Sequence, residues 1–279
     1  MIFEAFSRPK ARDLSVPSDD VLLHIPGRMT GVFDGASDSL GRRINGVPVG
    51  RLAAMAAAHA AAALPTSATT WTASEILSTL SAAIAAQVPT DPGEGPASTT
   101  AMIALFVPEG IRLLGIGDTG YRINGGPVCV TDLAPDRASI PARVALFELF
   151  RQRGLLAEDC EARARLCIGK GLDFAITSNM VSQSEADQIL QIALSKLPAT
   201  DASDDAIQLI RRGLQSQHQL ANAVDAQLGY GVLNGDIPAI QYAIDQTFSI
   251  ADLSTIEIFS DEIESRLFNA DVSVCYNYN

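Results

Sequence analysis

The chain has 279 residues, 47% of them hydrophobic and 19% charged, so it is long and apolar enough to bury a full core, and we read it as one domain over 1–279. A formal charge of −12 opposes nucleic acid, whose phosphates such a chain repels at long range. No apolar run reaches the length of a membrane span.

The first element in chain order is a hairpin: Val21 to Ile25, a Pro26-Gly27 turn, then Met29 to Phe33. Asp20 begins the first arm and Asp34 ends the second. In an antiparallel pair the start of one strand lies beside the end of the next, which sets both carboxylates at one sheet edge. Helices are predicted over about 47–63 and from Ala73 to Val88, the second opened by Thr72 and Glu75 in capping-box register. After the breaker-rich stretch from Pro89 to Pro96, a second hairpin runs from Ala101 to Val107 and from Ile111 to Ile116, delivering Asp118 to its far end. Asn124-Gly125-Gly126 then turns the chain into a third arm, Val128 to Val130.

From Ile140 onward the pattern is helical, with helices expected over about 142–156, 158–169, 184–197 and 203–218. Strands are expected again over Leu228–Leu233, Thr255–Phe259 and Val272–Tyr276. Strand hairpins at both ends with helices between them predict an α+β fold of antiparallel sheets covered by helices.

Three apolar strands end in Asp: Val32-Phe33-Asp34-Gly35, Gly115-Ile116-Gly117-Asp118 and Ile256-Glu257-Ile258-Phe259-Ser260-Asp261. Glycine allows a tight turn and close approach, and Asp offers a hard oxygen donor. Carboxylates without a His or Cys partner favour magnesium or manganese over zinc, and a pair of such ions can activate water against a phosphoryl group. Asp beside Gly also ends many strands as ordinary turn chemistry. The cysteines Cys129, Cys160, Cys167 and Cys275 have no CxxC spacing and no histidine nearby, which argues against zinc or a disulfide framework. Met1-Ile2-Phe3-Glu4 has no basic region followed by an apolar segment, and a cytoplasmic protein is expected.

The ordered series Ser18-Asp19-Asp20, Asp34-Gly35, Ser98-Thr99-Thr100-Ala101, Gly117-Asp118-Thr119 and Ser260-Asp261-Glu262 resembles the metal-dependent protein phosphatase 2C superfamily across essentially the whole chain. The resemblance implies a four-layer αββα sandwich of two antiparallel sheets flanked by helices, with a helical flap-like region at about 140–225. It implies two Mg2+ or Mn2+ ions at the sandwich edge. Asp34 would bridge them, the Gly35 carbonyl would bind one and Asp261 would complete the other. Asp19 and Asp20 would act through bound waters, and Asp118 would serve a third, weaker ion. The implied activity is hydrolysis of phosphoserine or phosphothreonine on a protein substrate by a metal-bound hydroxide, with Asp34 and Asp20 as the catalytic carboxylates.

The chain departs from the pattern at three places. The family's phosphate-gripping arginine, about five residues before the early Asp, is Ser15 here; Arg12, three residues too early, is the candidate for the substrate phosphate. Glu262 replaces the Gly after Ser260-Asp261. At the final Asp-Asn motif Ala270 takes the metal-ligand position and Asp271 is one residue off, on the other face of a regular strand, so that Asp271 is a candidate metal ligand through a bulge or an altered strand start. The alternative is therefore a 2C-like pseudophosphatase, a binding or regulatory module with little turnover; a phosphatase of small phosphorylated metabolites is a third reading.

Overall fold

The structure, a computed structural model, describes residues 2–7, 17–38, 41–90, 95–131, 133–199, 201 and 203–260. These fold as two compact units, one from residues up to 131 together with 231–260 and the other from Leu133 to Tyr230. None of the helices in the described residues is long and apolar enough to cross a membrane.

In the first unit the predicted hairpin forms. Strand β1 (Val21–Ile25) pairs antiparallel with β2 (Met29–Gly35), Val21 opposite Phe33. A short ladder of β3 (Arg43–Ile44) and β4 (Val47–Pro48) leads into α1 (Val49–Ala63). Helix α2 (Ala73–Gln87) has the expected capping box: the Thr72 hydroxyl accepts from the Glu75 amide, and the Glu75 carboxylate accepts from the Thr72 amide. Strands β5 (Thr99–Val107) and β6 (Gly110–Ile116) form the second hairpin, followed by β7 (Gly120–Ile123) and β8 (Val128–Val130). Late in the chain come β9 (Ala243–Ser249) and β10 (Ile256–Phe259). They complete a five-stranded sheet in the order β1-β2-β5-β6-β9 and a three-stranded sheet β10-β7-β8.

Alternation along the strands decides what each face covers. Phe33, Ala101, Ile103, Leu114 and Ile116 face α1 and α2, whose Ala53, Ala57, Ile76, Leu80 and Ile84 are buried against them. Alanine favours the helix and adds no bulk, so α1 can lie close to the sheet. On the opposite face Met102, Ala104, Ile111 and Leu113 pack with Tyr121, Ile123, Ile256 and Ile258 of the smaller sheet. Helices on a sheet, and that sheet on a second one, make the α+β arrangement of antiparallel sheets flanked by helices.

The second unit consists of α3 (Ala134–Gln152), α4 (Ala157–Lys170), α5 (Leu172–Thr177), α6 (Gln183–Lys196) and α7 (Asp204–Arg212) around their own apolar core. Helix α3 starts eight residues before the expected Ala142 and runs through Pro141. A stripe of Ala134, Ala138, Ala142, Leu146 and Phe150, four residues apart and all buried, outweighs the amide that the proline lacks.

The helix expected over 203–218 stops at Arg212. Gly213 turns to φ 83° and a 3-10 segment, Leu214–Leu220, follows. A Cβ on Gly213 would lie 2.3 Å from the Gly171 amide nitrogen, so the glycines that cap α4 and α7 are packed against each other. The strand expected at Leu228–Leu233 is only two isolated bridges, Ala221 to Tyr230 and Thr99 to Leu233. The ladder position beside β6 belongs instead to β9, which sequence reasoning missed; its Asp245 pairs with Arg112 across the strands at 2.6 Å. The expected strand Val272–Tyr276 lies outside the described residues.

Candidate metal centre

The β1–β2 register, continued by one residue, sets Asp20 opposite Asp34, and residues directly opposite in an antiparallel pair project from the same face. Asp34 is 8% exposed. It is held by the next strand, where the fully buried Thr99 hydroxyl donates to the Asp34 carbonyl oxygen at 2.6 Å and Thr100 lies opposite Asp34 in the β2–β5 ladder.

Gly35 and Gly50 explain why glycine stands at these points. A Cβ on Gly35 would meet the Gly50 carbonyl carbon at 2.6 Å and the Asp19 carbonyl oxygen at 2.7 Å, and one on Gly50 would come within 2.1 Å of the Ala36 carbonyl oxygen. The end of β2, the turn at Asp19 and the first residues of α1 thus meet backbone to backbone, a separation that only glycine permits.

Asp118 is positioned from β5: the Thr100 hydroxyl donates to its Oδ1 at 2.9 Å. Gly117, at φ 85°, leaves room for this contact, since a Cβ there would lie 2.2 Å from Thr100 Cγ2. The next residue, Thr119, is fully buried, and among the described residues its hydroxyl has no hydrogen-bond partner.

From the far end of the chain, the Ser260 hydroxyl donates to Asp20 Oδ2 at 3.1 Å. This contact brings the end of β10 to the Asp20 turn across 240 residues of sequence. The turn is fastened in two further ways. The Asp20 amide donates to the Ser18 hydroxyl at 3.1 Å, and the Arg51 guanidinium of α1 donates to the carbonyl oxygens of Ser18 and, at 3.2 Å, of Asp20.

The structure therefore places Asp20, Asp34, Gly35 and Asp118 at strand ends of the sandwich, with Asp20 beside Ser260 and Asp118 beside Thr100. Asp261, Asp271 and Arg12 lie outside the described residues, as do Ser15 and Ala270. Among the described residues no three Asp, Glu, His or Cys side chains are grouped closely enough to hold a metal ion. The donors present are hard carboxylate oxygens, of the type magnesium and manganese prefer, but a complete set needs more than the described residues contribute. Sequence reasoning passed over Arg51, Ser260 as a partner of Asp20, and the hydroxyl of Thr100. The Thr100 and Ser260 motifs were visible, whereas nothing near Arg51 in sequence marks its reach to the Asp20 turn.

No family model matches the chain, and no curated protein sequence does. A solved structure that matches in part is the catalytic domain of the serine/threonine protein phosphatase PstP in complex with two manganese ions. The two are 23% identical over 44% of this chain and 50% of that one, with a TM-score of 0.31. The match thus spans half the length of that domain, and the superposition is too loose to assign a role to any residue here.

Proposed function

We propose that the chain is a metal-dependent phosphoserine/phosphothreonine protein phosphatase of the 2C type, with its centre at the sheet edge of Asp20 and Asp34. The observation that carries the reading is the Ser260–Asp20 hydrogen bond. It joins the ends of the resembling motif series at the edge where the hairpin register had already set Asp20 opposite Asp34.

Asp34, Asp20 and the Gly35 carbonyl would hold Mg2+ or Mn2+ together with Asp261, the residue that follows Ser260 in sequence, and Asp118 would serve a weaker ion. A divalent cation so bound lowers the pKa of water from about 15.7 toward roughly 7–9, and needs no nucleophilic side chain. The protein's part is placement. Thr99 fixes the backbone of Asp34, Thr100 orients Asp118, and Ser18 and Arg51 hold the turn that carries Asp20.

The second reading, a 2C-like binding module with little turnover, is favoured by the sequence itself: Ala270 stands at the family's final metal-ligand position and Ser15 at that of its phosphate-gripping arginine. Manganese-dependent hydrolysis of an aryl phosphate separates the two. The enzyme reading expects turnover that Asp34→Ala lowers at least ~100-fold. No turnover by the unaltered protein at millimolar manganese overturns it in favour of the module.

A further inference from the structure

Resting on the phosphatase reading, we infer that Arg51 supplies the guanidinium that grips the substrate's phosphoryl oxygens, in place of the arginine whose family position is Ser15 in this sequence. Arg51 stands in the first turn of α1. That turn is pressed against the end of β2, where Gly50 leaves no room for a Cβ beside the Ala36 carbonyl. Its Nη1 donates to the carbonyl oxygens of Ser18 and Asp20. The guanidinium is thus held on the turn that carries Asp20, from the helix on one side and from the backbone on the other.

Arginine presents five N–H donors in a rigid fork, and one nitrogen serves both carbonyls. Among the described residues Nε and Nη2 take no partner. That edge of the fork has the spacing for two oxygens of one phosphoryl group. Arg42, another arginine near this edge in sequence, is already committed: Nε and Nη2 donate to Asp38 at 2.9 and 2.7 Å, and Nη2 also donates to the Gly95 carbonyl at 2.7 Å. A phosphate dianion approaching Asp20 and Asp34 on a chain of charge −12 is repelled unless a cation faces it. Arg51 provides that cation beside Asp20, with its side chain already ordered before substrate arrives.

The test measures binding of inorganic phosphate to the full chain by calorimetry at saturating manganese, with a parallel manganese titration and thermal melt for each variant. Arg51→Gln keeps an amide donor for the two carbonyls and removes the charge, so it serves even if Arg51→Ala does not fold; Arg51→Lys restores charge without the fork. The expected result is a loss of phosphate affinity of about 10- to 100-fold in Arg51→Gln, partial recovery in Arg51→Lys, unchanged manganese affinity, and a rise in KM for an aryl phosphate larger than the fall in kcat. Equal phosphate affinity in Arg51→Gln and the unaltered protein overturns the inference. So does a parallel loss of manganese affinity, which reduces Arg51 to a fastening of the Asp20 turn, and so does an unaltered protein that binds no phosphate. Arg51-dependent phosphate binding without turnover leaves the inference standing and defeats the phosphatase reading, whereas turnover indifferent to Arg51 does the reverse.

Discussion

The sandwich unit and the helical unit bury polar groups in opposite ways. Among the described residues the helical unit buries Ser139 and Asp201, and its buried cysteines behave as small apolar groups. Burial pushes the Cys167 thiol up to about 11, and its sulfur lies 3.9 Å from that of Met180. The sandwich unit buries Ser81 and Asn234 where α2 meets the 234–236 turn, and also buries Ser18, Asp34, Thr99, Thr100, Thr119 and Ser260 at or near its strand ends. Each such group is costly unless partnered, and the partners here come from separate segments: Thr99 bonds the Asp34 carbonyl, Thr100 bonds Asp118 and Ser260 bonds Asp20. The difference teaches where to look for chemistry: one core is built for packing, while the other accepts polar burial along an edge where three carboxylates are also held.

The sharpest way to break that contrast is in the helical core. Phe150 is fully buried in α3, and Phe150→Ala should cost about 3–5 kcal/mol by chemical denaturation, a purely structural loss. At the sandwich edge, Gly50→Ala adds a single methyl yet places it 2.1 Å from the Ala36 carbonyl oxygen. It should cost about 1–3 kcal/mol and weaken manganese binding as well, because the backbone it displaces adjoins Asp34; unchanged manganese affinity would separate this contact from the site.

The smallest effect is expected at the surface of the helical unit. The Glu185 carboxyl is drawn down to about 2, first by the Ser182 amide it caps and then by Arg153. Its folded pKa lies below the ordinary 4.5. The stability it contributes is therefore complete above that value and is lost as pH falls from there toward 2. Glu185→Gln should remove this acid dependence from the melting curve while costing about 1 kcal/mol or less at neutral pH; an unaltered acid limb would show that the cap contributes nothing measurable.

Much of the sandwich was legible because its signals are local. The Pro26-Gly27 turn set the first hairpin and with it the meeting of Asp20 and Asp34 at one sheet edge, and Thr72 and Glu75 announced α2. The misjudged elements depended on distant partners. The stripe along α3 overrode Pro141 because a remote core covers it, Gly213 stopped α7 against Gly171, and β9 is recognisable only as the strand that completes β6.

The site divides along the same line. The sequence by itself determined the chemical character of the edge: hard carboxylates at strand ends, a glycine next to Asp34 and to Asp118, and no histidine or cysteine cluster to compete. Only the tertiary structure decided which groups meet. Ser260 reaches Asp20, Thr100 reaches Asp118 and Arg51 reaches the Ser18–Asp20 turn because sheet pairing and the close seating of α1 on β2 bring together residues 240, 18 and 31 to 33 positions apart. A pattern of turns and periods specifies how a segment folds. It carries no record of the remote surface against which that segment will finally pack.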